Sequence, residues 1–322
     1  MISVEMSFEP DSNWNQRLID NQLGNMLQTK EFGFSKELIG SKPVFLKFFG
    51  SDDKIIGQLL ALSYSKFEKK GKFGKILKMV SGKKDNICRW FYGPVIFDNN
   101  YELEINQELR NFLISKNFNI WGSEHPLSNR NFASWGKPFE IENWATFLID
   151  LSQEKNLLWE KMDKHSARKN IERSQKRNVV VKKMNKTDLP IYLEMMKGTR
   201  ENDLETSLTI MEKQWDLLNS IGYSGFMAFE NDTPIGGIRV SSFNGYIYEF
   251  GIARTKRDFT EKLYSQDLLK WKIIEWGIEN KLRYYDLSGI NPEPKNKKEE
   301  GIFRYKKKWG GKLYPYTIVK YN

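Results

Sequence analysis

The chain has a single cysteine, Cys88, and two histidines, His125 and His165, among 322 residues. One thiol excludes an intrachain disulfide and makes a reducing compartment, the cytoplasm, the expectation. The same scarcity excludes a zinc centre built on Cys and His, and no metal or organic cofactor is expected. No run of about 18 apolar residues occurs, so no membrane-spanning helix is expected. The opening "MISVEMSFEPDSNW" has neither the cationic stretch nor the apolar core of a secretion signal. There is no Gly-x-Ser-x-Gly elbow of the hydrolase kind, and no Gly-x-x-x-x-Gly-Lys-[Ser/Thr] phosphate loop. Cys88 lies inside a strand pattern, where a buried thiol is inert.

Cations, by contrast, are abundant. Lys and Arg number 51 against 41 Asp and Glu, giving a formal net charge of +10. This excess favours an anionic partner, whether nucleic acid, a phosphorylated substrate or the face of an anionic membrane touched peripherally. The hydrophobic fraction of 39% and the aromatic fraction of 14% suit packed globular domains.

Periodicity divides the chain into two similar halves. In the first, helices are expected at "NWNQRLIDN", "TKEFGFSKEL" and "YELEINQELRNFLISKN", and strands at 43–50, 54–66, 87–97 (broken at Gly93-Pro94) and near 118. In the second, "ATFLIDL" is a strand and is followed by a helix of roughly 20 residues carrying Leu158, Met162 and Ile171 on one side and stopping at Asn178. A strand, "VVVKKM", and a helix with Pro190 in its first turn come next. Three strands follow, "GYSGFMAFE", "PIGGIRVSSF" and "GYIYEFGIA", with hairpin turns at Asn231-Asp232 and Asn244-Gly245. The helix "EKLYSQDLLKWKIIEWGIENK" has Tyr264, Leu268, Trp271, Ile274 and Ile278 along one stripe, widened by Leu269, Ile273 and Trp276. A helix so broadly apolar is expected to be covered on more than one side. The reading is a duplicated α+β architecture with mixed sheets, divided near "EIENW" at 140–144.

Three stretches bear on chemistry. "KFEKKGKFGKILKMVSGKKD" is expected to place Lys69, Lys70, Lys72 and Lys75 on a hairpin loop, where they are candidates for phosphate contacts with a nucleic acid, or simply a solvated loop. "KHSARKNIERSQKRN" is a second basic face, open to the same two readings. "IARTKRDFTEKL" lies where acyl-CoA-dependent N-acyltransferases of the GNAT type carry a Gly-rich turn whose amides hold a pyrophosphate. Here no glycine occurs between Gly251 and Gly277, which leaves Arg254, Lys256 and Arg257 to meet an anion through their side chains.

The most informative stretch is "YYDLSGINPEPKNKKEEGIFRYKKKWGG", in which Phe303, Tyr305 and Trp309 are interleaved with Arg304, Lys306, Lys307 and Lys308. Either the basic face is solvated, or one lysine is drawn inward toward an anion. Tyr285-Asp286-Leu287-Ser288-Gly289 followed by Gly301-Ile302-Phe303-Arg304-Tyr305-Lys306-Lys307-Lys308-Trp309-Gly310 resembles the FemABX family. That family's signature is Tyr-Asp-x-x-Gly and then Gly-x-x-x-Phe-Lys-x-x-Phe-Gly, so this chain has Tyr and Trp where the pattern has Phe. More loosely, "LQTKEFGFSK" resembles an early family segment with Phe32 for Trp, and "WFYGPVIFD" a strand with Tyr92 for Arg. "SARKNIERSQKRNVVV" resembles the helix that opens the second domain.

The resemblance implies two tandem GNAT-like domains with mixed, mainly antiparallel sheets: residues 1–144, joined by a returning C-terminal strand at 312–322, and residues 145–311. It implies a non-ribosomal aminoacyl or peptidyl transferase that takes an amino acid from aminoacyl-tRNA to an amine of a UDP-linked or lipid-linked cell-wall peptide precursor. Lys306 matches the lysine that stabilises charge near the reacting ester, with Tyr305 beside it; the interleaved aromatics are then expected to fix and partly desolvate Lys306, leaving Lys307 and Lys308 to phosphate or solvent. Asp98 matches an acid that is a candidate base. Lys36, Arg200 and Tyr248 fall where the family binds phosphates of the acceptor. Two other readings stay open: a tandem-GNAT N-acyltransferase using an acyl-CoA or acyl-carrier donor on a sugar, lipid or polyamine, and a non-catalytic RNA-binding protein.

Overall fold

A computed structural model describes residues 2–65, 86–116, 118–129, 131–199 and 207–321. The chain divides into two compact units, Met1–Ala145 with Pro315–Asn322, and Thr146–Tyr314. In chain order, the first unit holds β1 (Ser3–Ser7), α1 (Trp14–Ile19), α2 (Lys30–Glu37), β2 (Lys42–Phe49), β3 (Ile55–Ser65), β4 (Asn86–Trp90), β5 (Val95–Ile96), α3 (Glu102–Ser115) and β6 (Asn119–Ser123). Strand β7 (Glu140–Asp150) leads into the second unit, which continues with α4 (Lys155–Lys161), α5 (Lys169–Lys176), β8 (Val179–Lys183), α6 (Leu189–Thr199) and α7 (Leu208–Asn219). Then come β9 (Tyr223–Glu230), β10 (Thr233–Ser241), β11 (Tyr246–Arg254), α8 (Lys256–Thr260), α9 (Ser265–Glu279), β12 (Tyr284–Ile290), α10 (Lys297–Lys307) and β13 (Lys312–Tyr321).

In the first unit the strand order is β1-β2-β3-β4-β6-β13, with β5 on β3. Pairing is antiparallel except between β4 and β6, which run parallel on either side of α3 in the chain. The helix buries Ile105, Leu109 and Leu113, spaced four residues apart, against Phe48, Trp90 and Phe132. The last strand enters this sheet with Ile318 opposite Ser123. It is pinned by Glu124, a 4% exposed carboxylate that accepts from the Thr317 amide at 3.2 Å and from the Thr317 hydroxyl. A buried carboxylate held this way is satisfied by geometry, which offsets the cost of its desolvation.

Gly122 on β6 shows how tightly this core is shaped. A Cβ there would lie 1.9 Å from the ring of Trp90, which is fully buried. Gly122→Ala is therefore expected to destabilise the first unit by roughly 3 kcal/mol, the upper part of the overpacking range, because the ring has no room to give. Urea unfolding checks this, and an unchanged midpoint would show that Trp90 repacks freely.

The second unit repeats the plan. Its sheet runs β7-β12-β11-β10-β9-β8, with an antiparallel meander β9-β10-β11 and a parallel pair β11-β12 separated in sequence by α9. As its pattern requires, α9 is covered on several sides, with Leu268, Leu269, Lys270, Trp271, Ile273, Ile274 and Gly277 all buried.

Some elements differ from the sequence reading. The expected 20-residue helix breaks at Met162, which is extended with ψ 148°. The Asp163 amide there donates to the Lys308 carbonyl at 2.8 Å, and its carboxylate accepts from the His165 and Ser166 amides and so starts a new helical turn. Helix α9 begins at Ser265, not 261, because Tyr264 is left-handed at φ 59°. Strand β1 and helix α7 escaped the reading. The latter had a legible signature, a Ser207 cap followed by Met211, Trp215 and Leu218 at four- and three-residue steps. Among the described residues, no helix is long and apolar enough to cross a membrane.

Candidate active site

The site is built on the end of β12, where the tyrosine-aspartate pair meets α10. Asp286 is fully buried and accepts from the Tyr246 hydroxyl at 2.7 Å, the Ser288 amide at 2.8 Å and the Thr146 hydroxyl. This triple grip fixes a sharp turn in the backbone, and Ser288 adopts φ 66°, a left-handed conformation that costs a non-glycine residue about 1 kcal/mol or more. The turn aims the Ser288 and Gly289 carbonyls at α10.

Helix α10 is capped by Asn296, whose side chain accepts from the Glu299 amide. Glu299 in turn accepts from the Lys295 amide and the Asn291 and Asn296 side chains, and these hydrogen bonds hold its carboxyl below the usual range. The two-proline loop is thus closed onto the helix start. In the last turn of the helix, Lys306 Nζ donates to Ser288 O at 2.9 Å and Gly289 O at 3.1 Å. The pKa of this ammonium is lowered to about 8, chiefly by burial, with Glu249 and Asp286 opposing the drop and the charge on Lys270 contributing to it. Two of its three N–H donors are taken by carbonyls. The third has no hydrogen-bond partner among the described residues.

The interleaved aromatics serve a different lysine from the one expected. Phe303 packs edge-on against Phe147 at 5.4 Å. Tyr305 and Trp309 flank Lys308, whose Nζ lies 4.4 Å and 5.5 Å from their ring centroids and forms an ion pair with the buried Asp267. Lys307 is exposed. The expectation that the aromatics wrap Lys306 and leave Lys308 to phosphate or solvent is corrected accordingly. Main-chain carbonyls fix Lys306, and Asp267 holds Lys308.

A second buried ionic group stands beside the first. Lys270 on α9, 2% exposed, pairs with Glu249 on β11, which also accepts from the Tyr285 hydroxyl at 2.7 Å. Burial pushes the Tyr285 hydroxyl well up, with Glu249 adding to the effect. Burial does the same to the Tyr305 hydroxyl, followed by Asp267; this hydroxyl is sealed from solvent with no hydrogen-bond partner among the described residues. Sequence reasoning missed Glu249, Lys270 and Thr146. A signal for Lys270 was present, since it lies within the widened apolar stripe of α9 and so had to be buried with a partner.

Tyr305 and Lys308 face a groove of about 480 Å³ lined also by Asn170, Arg254, Tyr264 and Asp267. Arg254 is bound to Asp258, a fully buried carboxylate that also accepts from the Ser265 amide at 2.9 Å. Arg257 pairs with Glu230 and Glu261. The arginines of the glycine-free turn thus have carboxylate partners, and the first amide of α9 is already bonded to an anion of the chain itself. Next to this groove, sharing Lys262 and Tyr264, a shallow hollow of about 430 Å³ gathers Arg173, Lys176 and Arg177 from the basic face of α5 and its C-terminus.

The remaining candidates are distributed as follows. Tyr248 on β11 stands 5.2 Å from Phe250, ring to ring, in the same unit as Lys306, Tyr305 and Arg254. In the first unit, Lys36 lies in the last turn of α2 with its Nζ 4.8 Å from the Phe32 ring centroid, and Asp98 accepts from the Asn100 amide at 2.9 Å. Arg200 and the loop lysines Lys69, Lys70, Lys72 and Lys75 lie outside the described residues.

No family model matches the sequence, and no curated protein matches it. Solved structures do. The chain is similar to FemX, with TM-score 0.72 at 14% identity, covering 97% of this chain and 96% of that one. It is similar to L-PGS from Bacillus licheniformis, with TM-score 0.60 at 11% identity, covering 97% and 92%. A tandem GNAT protein from the clavulanic acid biosynthesis pathway matches with TM-score 0.56 at 10% identity over 99% and 98%. The fold is the tandem GNAT-like α+β fold, with mixed, mainly antiparallel strands.

Proposed function

We propose that this protein is an aminoacyltransferase that moves an amino acid from its ester on tRNA to an amine of a cell-wall-type peptide precursor. The observation that carries the reading is Lys306, a half-buried ammonium anchored by two carbonyls at a strained strand end with one donor uncommitted. An ester is already activated, so catalysis consists largely of aligning amine and carbonyl, which contributes on the order of 7–11 kcal/mol in favourable cases. The carbonyl oxygen gains negative charge as the amine adds, and a pre-aimed ammonium stabilises it. The acceptor nitrogen loses its proton, the carbon–oxygen bond to the tRNA ribose breaks, and the ribose hydroxyl leaves protonated. Tyr305 and the groove beside it fit the donor end, and Arg173, Lys176 and Arg177 fit its phosphates. Lys36, Arg200 and Tyr248, which the family resemblance implies as phosphate-binding positions, are each assigned to the acceptor's phosphates as part of this proposal.

Because Lys306 acts as the protonated donor, its contribution is present below about pH 8 and lost as pH rises through that value. The acceptor amine pushes the other way, since it must be deprotonated to attack. The rate against pH is therefore expected to be bell-shaped with a descending limb near 8, measured under single-turnover conditions. A rate still climbing at pH 9.5 would remove Lys306 from the donor role.

An acyl-CoA donor is the second reading. Asp258 speaks against it, because it puts a carboxylate on the helix amide at Ser265 where a pyrophosphate would otherwise be held. The deciding experiment incubates the protein with mixed charged tRNAs and candidate acceptor peptides, reads products by mass spectrometry, and repeats the assay after RNase and with acyl-CoA donors. Product that disappears with RNase supports the proposal. Product made only from acyl-CoA replaces it with the second reading, and salt-sensitive RNA binding without any product replaces it with a binding protein.

A further inference from the structure

Among the described residues of the second unit, several inward-turned cations are matched by carboxylates. Lys270 has Glu249, Lys308 has Asp267 and Arg254 has Asp258. Arg239 on β10 has no carboxylate within ion-pair distance among the described residues, although its Nε is sealed from solvent without a hydrogen-bond partner. Its cross-strand neighbours are both glycines, Gly225 and Gly251, so neither adjacent strand offers it a side chain. The guanidinium carbon lies 4.9 Å from the ring centroid of Tyr192, and Nη2 lies 3.8 Å from the Met196 sulfur, which is a weak acceptor. A Cβ on Gly251 would come within 3.3 Å of both Nη2 and the Tyr192 hydroxyl, so the glycine lets these two groups pack together close over the strand. Tyr223, the second tyrosine ring near Arg239, continues into an aromatic row with Phe250 at 5.3 Å.

Desolvating a guanidinium without a counter-charge is among the costliest arrangements a fold can hold. Tyrosine rings and a thioether soften that cost but do not neutralise the charge. We propose that Arg239 is the cation of an oxyanion-binding subsite, in which a carboxylate or phosphate group of a ligand pairs with the guanidinium while the Tyr192 and Tyr223 hydroxyls donate to it. The planar fork suits bidentate capture of such a group. The subsite does not depend on acyl transfer, so it is tested without a turnover assay.

The test titrates the whole protein and its Arg239→Met variant with sodium phosphate and, separately, sodium acetate, replacing chloride at constant ionic strength, and follows the midpoint of thermal unfolding. In chloride alone, Arg239→Met is expected to melt at or above the wild-type temperature, because an apolar chain of similar length replaces an unpaired buried charge. The wild-type midpoint is expected to rise by roughly 2–4 °C once the effective anion is several-fold above its dissociation constant, and the variant's to stay put. A response to phosphate alone, or to acetate alone, identifies the group recognised. If the two proteins respond alike to both anions, by any amount including none, the proposal is overturned. Should Arg239→Met fail to fold, Arg239→Lys takes its place: it keeps the charge but loses the fork, so a wild-type-sized response from it overturns the proposal and a reduced one supports it.

Discussion

Replacing Lys306 with Met is expected to slow acyl transfer by about 10²–10³-fold, the usual loss on removing one preorganised oxyanion donor, without unfolding the protein. The fold should survive because the ammonium is held against its own preference. Burial takes its pKa from 10.5 to about 8, a shift that corresponds to about 3 kcal/mol of unfavourable differential interaction near neutrality. Met removes that cost and loses two hydrogen bonds to carbonyls, worth about 1 kcal/mol each, so the variant is expected to be as stable as the wild type or slightly more so. The pH dependence provides an independent check. Between about pH 8 and 10.5 the unfolded lysine binds a proton that the folded one has released, so wild-type stability rises with pH across that window. The variant lacks that rise. Denaturant unfolding at pH 7, 8.5 and 10, beside single-turnover transfer at pH 7, separates the two effects. Transfer left intact by the substitution would end the catalytic assignment, and a flat wild-type stability profile would show that Lys306 is solvated.

Much of this fold was legible in the sequence because its signals are local. Alternating runs gave the meanders, Asn244-Gly245 gave a hairpin turn, and the broad stripe of α9 told of burial on several sides. The break at Met162–Asp163 was not legible, because it depends on an amide reaching the carbonyl of Lys308, far along the chain. The site divides in the same way. Lys306 and Asp286 stand in a recognisable stretch, but their geometry arises from Thr146, Tyr246 and Ser288, which converge from three strands. Interleaved aromatics and lysines correctly signalled a cation drawn inward. Which lysine they enclose depended on Asp267, on another helix, and composition carries no record of that pairing.

Breaking the Lys270–Glu249 pair is the other large effect. Lys270 is 2% exposed and Glu249 8%, so neither can recover water when its partner is removed. Lys270→Met is expected to cost about 3–5 kcal/mol, since it strands a carboxylate whose remaining donor is the Tyr285 hydroxyl. The double variant Lys270→Met/Glu249→Leu should recover a large part of that loss, because two apolar chains then replace two compensating charges, and the cycle should show strong coupling. The same pair also biases Lys306, as the charge on Lys270 lowers its pKa and the charge on Glu249 raises it. Lys270→Met should therefore move the descending limb of the rate profile to higher pH, and Glu249→Gln should move it lower. Opposite displacements are the signature of electrostatic control over Lys306, whereas a purely structural pair would reduce the amplitude in both variants and leave the limb near 8. Equal stability of Lys270→Met and the wild type would mean that water reaches Glu249, and the buried ionic group would then lose its part in setting the charge of Lys306.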